Sequence, residues 1–140
     1  MILLDTNILS ELMRLAPNRS VIEWLDEQFS TDLFICAITR AEIELGISLL
    51  PEGRRKINLS VAAKEVFGWF SDRCLPFNEA AAIKYANLVK IRTEIGRPIS
   101  VEDAQIAAIA LVHDLTLATR NTSDFENIAE LRVINPWSGK

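Results

Sequence analysis

Ile2-Leu3-Leu4-Asp5-Thr6-Asn7-Ile8-Leu9-Ser10-Glu11-Leu12 holds the pattern on which the whole chain is built. An uninterrupted apolar run reads as a strand covered on both faces. Asp5 ends it, and either Asp5 or Thr6 caps a helix from about Asn7 to Arg14. The handover recurs. Pro17-Asn18 breaks the chain, and Ser20 caps a helix with Val21, Trp24, Leu25 and Phe29 along one side. Leu33–Cys36 is a second strand, followed by a helix over Thr39–Leu50 that stops before Pro51-Glu52-Gly53. Arg54–Ser71 is helical, with Val61, Val66, Phe67 and Phe70 as core candidates. Cys74–Phe77 is a third strand, and Asn78 caps a helix over Glu79–Ile95 that ends at Gly96-Arg97-Pro98. Ser100–His113 is apolar on almost every side, so this helix is central and buried. Leu115–Ala118 and Leu131–Ile134 complete the strands. Strands alternating with helices predict an α/β fold with a mainly parallel sheet of about five strands between helical layers. Ligands of such sheets bind beyond the carboxyl ends of the strands.

The totals narrow the chemistry. The chain has 140 residues, fits one domain over 1–140, and is 49% hydrophobic and 24% charged. A chain of this size buries roughly 70% of its unfolded surface. No apolar run approaches the ~20 residues needed to cross a bilayer, and no basic stretch precedes the first apolar one. The expectation is therefore a cytoplasmic protein without a signal peptide. Cys36 and Cys74 lie in apolar strands, form no Cys-x-x-Cys, and read as reduced thiols. A net charge of −4 argues against a general polyanion-binding surface, although ten of the fifteen basic residues are Arg, which suits planar phosphate contacts. His113 is the only histidine, which excludes a catalytic histidine pair and zinc held by several histidines. Phosphate-binding glycine loops and nucleophile elbows are absent too. What remains is carboxylate chemistry.

Four acids stand at strand-to-helix or strand-to-loop junctions. Asp5 follows the first strand, where capping and lining the crevice are compatible roles. Glu42 lies on the Thr39–Leu50 helix. At about 100° per residue, Arg40, Glu44 and Ser48 share a solvated face and Glu42 points nearly opposite, toward Ile38, Leu45, Gly46 and Leu49. A carboxylate facing inward needs a cation, a hydrogen-bond partner or a proton, with a buried arginine as the alternative to metal. Asp103 sits three residues after Ser100, close to a capping box, on an otherwise apolar helix. Its neighbour Glu102 is the acid expected to face solvent. Asp124 belongs to the polar loop Thr119-Arg120-Asn121-Thr122-Ser123-Asp124-Phe125, whose composition also fits a simple turn.

Gathered in one crevice, these acids constrain one another. Two carboxylates ~5 Å apart repel by roughly 3 kcal/mol at an effective dielectric near 20. Mg²⁺ or Mn²⁺ relieves that repulsion, since hard cations prefer carboxylate and water oxygens. A metal held this way activates water and neutralises charge on phosphoryl oxygens, which points to phosphodiester hydrolysis.

The chain resembles the PIN-domain ribonucleases, specifically the VapC toxins and their FitB/StbB-like branch. The resemblance rests on Met1–Leu12, Ile38–Gly46 (Ile38-Thr-Arg-Ala-Glu-Ile-Glu-Leu-Gly46) and Leu50–Arg55. It continues through Gly96–Ala108 (Gly96-Arg-Pro-Ile-Ser-Val-Glu-Asp-Ala-Gln-Ile-Ala-Ala108), Leu117–Phe125 and Ile134–Trp137, essentially the whole chain in order. It implies a Rossmann-like three-layer α/β/α PIN fold and a Mg²⁺- or Mn²⁺-dependent endoribonuclease, the toxin of a type II toxin–antitoxin system. By resemblance, Asp5, Glu42, Asp103 and Asp124 are the catalytic and metal-binding acids. Asp5 and Asp103 are then the primary ligands, supported by Thr6, Asn7, Thr119 and Asn121. The implied partners are an RNA substrate, a cognate antitoxin, a second copy of the chain, and promoter DNA reached only through the antitoxin complex. Arg97 and Arg120 are phosphate candidates, with surface ion pairing as the alternative for either.

Two other readings compete. A protein-binding PIN domain acting through its antitoxin complex needs no catalysis. A HAD-like phosphatase would phosphorylate Asp5, but it wants an acid where Asn7 stands and leaves Glu42 without a role.

Overall fold

The computed structural model describes residues 1–138, so the last two residues of the 1–140 span lie outside it. In chain order the elements are β1 (Ile2–Leu4), α1 (Thr6–Leu12), α2 (Arg19–Asp26), β2 (Leu33–Cys36) and α3 (Ala37–Ser48). Then come α4 (Arg54–Trp69), β3 (Cys74–Leu75), α5 (Glu79–Glu94), α6 (Val101–Val112), β4 (Thr116–Ala118) and β5 (Val133–Ile134). Short 3₁₀ turns occupy Ser30–Asp32, Thr122–Phe125 and Pro136–Ser138.

The strands form one sheet in the order β3-β2-β1-β4-β5, and every pairing among them is parallel. Strand alternation sorts the side chains to two faces. Leu3, Cys36 and Leu117 join the apolar faces of α5 and α6 in one core. Leu4, Ile35 and Ala118 face the other way, into a core with α1, α2, α4 and Ile43 of α3. The result is a three-layer α/β/α fold. Because Cys74 pairs in register with Ile35 and Cys36 with Leu75, the two thiols lie on opposite faces of the sheet. They are free, as expected.

The Ser100–His113 expectation holds. Ala104 and the whole run Ile106–Ala110 of α6 are buried. Each buried isoleucine there contributes ~1.5–3 kcal/mol of transfer free energy. Small alanines let this helix lie close against α5 and the sheet.

Some local expectations need correction. Asn18, rather than Ser20, caps α2: its Oδ1 accepts the Val21 amide at 3.2 Å, placing Ser20 inside the first turn. Phe29 lies beyond the end of α2 and is exposed, because the helix stops at Asp26. Val61 is exposed on α4, whereas Val66, Phe67 and Phe70 are buried. A helix that packs on one side only presents part of its apolar residues to solvent, and sequence does not reveal which part. The third strand also ends at Leu75, short of Phe77.

Candidate functional site

The sheet order places a topological switch between β1 and β4, since the chain builds outward from β1 through β2 and β3 before returning beside it. Ligand crevices form at such points, beyond the strands' carboxyl ends. The Asp5 amide donates to the Ala118 carbonyl at 2.9 Å, so Asp5 and Thr119 leave the sheet side by side.

Asp5 is 5% exposed and caps α1. Its Oδ1 accepts the Thr6 amide at 2.7 Å, and its Oδ2 accepts the Thr119 hydroxyl at 2.6 Å and the Asn7 carboxamide at 3.5 Å. The Thr119 hydroxyl is itself an acceptor, from the Asn121 amide at 3.1 Å and the Asn7 Nδ2 at 3.3 Å. Asn7 completes the ring by accepting the Arg120 amide at 3.3 Å. Burial pushes the Asp5 carboxyl above its ordinary range, the donors from Thr119 and Thr6 pull it back, and Asp124 pushes it up again. Capping and crevice roles coexist here.

Glu42 faces the crevice from α3. The Thr6 hydroxyl donates to its Oε1 at 2.5 Å, linking the first turn of α1 to α3. Its surroundings differ from those read off the helical wheel. The buried residues of α3 are Thr39 and Ile43, whereas Leu45 and Leu49 are 59% and 75% exposed. Glu42 is half-buried at the border between those faces. The tertiary packing of α3 against α1, α4 and α6 sets this rotation. Arg40, Glu44 and Ser48 are exposed as expected, with Arg40 and Glu44 paired at 3.3 Å. Burial raises the Glu42 carboxyl, the Thr6 hydroxyl lowers it, and Asp5 and then Glu102 raise it further. Glu102 is exposed, yet it acts on the cluster from the rim, a role its sequence position did not announce.

Asp103 enters from the first turn of α6, where the Ser100 hydroxyl caps its amide at 3.1 Å. Burial, followed by Asp5, lifts its carboxyl to about 6, with Asp124 and Glu42 adding to the rise and Ser100 opposing it. Asp124 sits on the Thr122–Phe125 turn, exposed, with the buried Phe125 anchoring the turn beneath it.

The four sequence-selected acids thus share one crevice and act on one another electrostatically. All their donor atoms are oxygens, the set that suits a hard divalent cation. Among the described residues no three His, Cys, Asp or Glu side chains converge on a single ion position. A cavity of about 320 Å³ adjoins Glu42, lined by Ser10, Met13, Ile43, Gly46 and Arg55 among others.

Of the two phosphate candidates, Arg97 is paired with Glu126 at 3.3 Å, and Arg120 lies with its guanidinium carbon 5.2 Å from the Trp137 ring centre. Two buried charged residues escaped the sequence reading. Glu11 accepts the Asn18 amide at 2.6 Å and pairs with Arg14 at 3.4 Å, holding the α1–α2 connection away from the crevice. Arg92 lies on the α5 stripe with Ala81 and Leu88. A charge at helical spacing on an apolar stripe was the available signal.

The family model described as PIN domain matches residues 2–131. The chain is 42% identical over 138 residues to Toxin FitB of Neisseria gonorrhoeae, covering 98% of this chain and 99% of that protein. It is 41% identical over 138 residues to VapC ribonuclease Y4jK of Sinorhizobium fredii, covering 98% of each. The solved structure of FitAB bound to an IR36 DNA fragment superposes with a TM-score of 0.88 at 40% identity, covering 98% of this chain and 96% of that one.

Proposed function

The chain belongs to the PIN-domain family, and from that membership we propose that it is a Mg²⁺- or Mn²⁺-dependent endoribonuclease, the toxin of a type II toxin–antitoxin system. The observation that carries this reading is the meeting of Asp5, Glu42, Asp103 and Asp124 at the β1–β4 switch, with three of the four carboxyls driven up by burial and by one another. A hard divalent cation would offset that mutual repulsion.

In this reading Asp5 and Asp103 hold the ion, and Glu42 and Asp124 complete the set directly or through water. When bound, the ion supplies Lewis-acid stabilisation of charge on the phosphoryl oxygens and acidifies water. The chain's residues do the rest. Thr119, Thr6 and Asn7 hold Asp5 and Glu42 in fixed orientations by donating to them. Asp124, on an exposed turn, borders the open side by which an RNA strand enters.

The reading extends to partners. Relatives seen as FitAB and VapBC complexes, FitAB on a DNA fragment, support a cognate antitoxin, with promoter DNA reached through that complex. Leu45 and Leu49 on α3 and Ile57 and Val61 on α4 are exposed apolar side chains of the kind a partner covers. A homodimer of single-domain chains in the cytoplasm completes the proposal. Among the described residues no helix is long and apolar enough to cross a membrane.

The test is RNA cleavage by purified protein. Mg²⁺ or Mn²⁺ is expected to support it, EDTA to stop it, and Asp103→Asn to lower it at least ~100-fold. Undiminished cleavage in EDTA, or full activity of Glu42→Gln, refutes the metal site. Growth arrest relieved by the product of the neighbouring gene tests the toxin assignment.

A further inference from the structure

Arg92 is 4% exposed, and its guanidinium makes no ion pair among the described residues. Burying a cation without a counter-charge costs several kcal/mol unless other groups replace its water. Here three backbone carbonyls do so. Nε donates to the Arg97 carbonyl at 2.6 Å, and one terminal nitrogen donates to the Asp124 carbonyl at 3.1 Å and the Glu126 carbonyl at 2.9 Å. The first belongs to the loop that leads into the Ser100 cap and Asp103. The other two flank Phe125 on the turn that carries Asp124. One planar group therefore grips both loops from beneath, while the Arg97–Glu126 pair ties the same loops at the surface.

We infer that Arg92 is a positioning residue, setting the placement of Asp124 relative to Asp103 through the backbone. The inference rests on the function proposed above. Its physical basis is geometric. Asp103 lies in the first turn of α6, before β4, and Asp124 on the turn after it, and no hydrogen bond between their side chains joins them among the described residues. A surface ion pair such as Arg97–Glu126 is worth ~0–1 kcal/mol and fixes little. A buried guanidinium that donates to three carbonyls is much stiffer, because moving either loop breaks a charge-assisted bond. Lysine would not replace it, since one ammonium on a flexible stem cannot reach both loops with a fixed fork.

The decisive variant is Arg92→Lys, compared with the unsubstituted full-length chain. Mn²⁺ affinity is read by calorimetry, protection of the Asn121–Glu126 amides by hydrogen exchange, and RNA cleavage as separate kcat and KM. Arg92→Lys is expected to bind Mn²⁺ ~10–100-fold more weakly, the range seen when a group supporting a metal ligand is lost. The Asn121–Glu126 amides should exchange faster while those of α6 remain protected. A loss of global stability with Mn²⁺ affinity of the folded protein unchanged overturns the inference. If Arg92→Lys does not fold, Arg92→Gln, which buries no cation, is read in its place; failure of both to fold makes Arg92 a folding residue and also overturns it. Absence of Mn²⁺ binding in the unsubstituted chain refutes the proposed function itself, and this inference with it.

Discussion

Thr119→Val replaces a fully buried hydroxyl with a methyl of nearly the same shape, so its effect isolates one hydrogen-bonding atom. That atom donates to Asp5 at 2.6 Å and accepts from Asn121 and Asn7 at 3.1 and 3.3 Å. Donation to a buried carboxylate is worth ~1.5–3 kcal/mol, and the part-buried Asn121 amide loses its acceptor as well. The expected loss at neutral pH in EDTA is about 3 kcal/mol, or on the order of 10 °C in Tm for a domain of this size. The effect has a sign in pH. The hydroxyl favours the charged carboxylate, so its removal lifts an Asp5 carboxyl that burial has already raised. A folded-state pKa raised further above the unfolded value makes the folded state bind more protons, and stability falls more steeply as pH rises. The deficit of Thr119→Val relative to wild type should therefore grow between pH 4 and pH 7. Urea unfolding at both pH values measures it, with Thr119→Ser as the variant that keeps the hydroxyl. A deficit at neutral pH below ~0.5 kcal/mol, the usual scatter of neutral surface changes, or one independent of pH, refutes the assigned role of Thr119 at Asp5.

Two further outcomes follow from the same geometry. The Asp103 carboxyl is raised from 3.8 to about 6, so the folded apo chain holds a proton that the unfolded chain has lost, and stability falls as pH rises through that window. Asp103→Asn should flatten that slope and be more stable than wild type at pH 7 in EDTA while binding Mn²⁺ far more weakly; Mn²⁺ titrations across pH 5–7 should release more protons from wild type than from the variant. Gly46 lies within α3 with nothing within 4 Å of the position a Cβ would take. Gly46→Ala should therefore stabilise the protein by ~0.5–1 kcal/mol, visible as a rise in Tm, and destabilisation would show that the open space is needed by the fold.

Much of this protein is legible in its local pattern. The apolar runs at Ile2–Leu4, Leu33–Cys36 and Thr116–Ala118 are strands because they are buried on both faces, and the alanine-rich α6 is central because it has no polar face. Asp5 and Asp124 stand out because they follow strands, whereas Glu42 lies within α3 and Asp103 in the first turn of α6, where an acid on a largely apolar helix carries a cost. Boundaries and orientations were harder. Asn18 and Ser20 both suit a cap, and only the path of the chain after Pro17 chooses between them. Leu45, Leu49 and Val61 look like core residues until α3 and α4 are packed and their outward faces are known.

The sequence alone determined the class of fold, because hydrophobic periodicity acts locally and needs no partner, and it singled out the four acids proposed for the crevice. Tertiary structure decided which groups hold the acids. Asp5 meets Thr119 across 114 positions of chain, Glu42 meets Thr6 across 36, and Arg92 reaches Asp124 across 32. No local propensity encodes such pairings, since they arise only when parallel strands and their crossover helices bring distant loops to one edge of the sheet. Arg92 illustrates the difference. In the sequence it interrupts an apolar stripe, whereas in the fold its charge is satisfied by three carbonyls from two loops beside the acids.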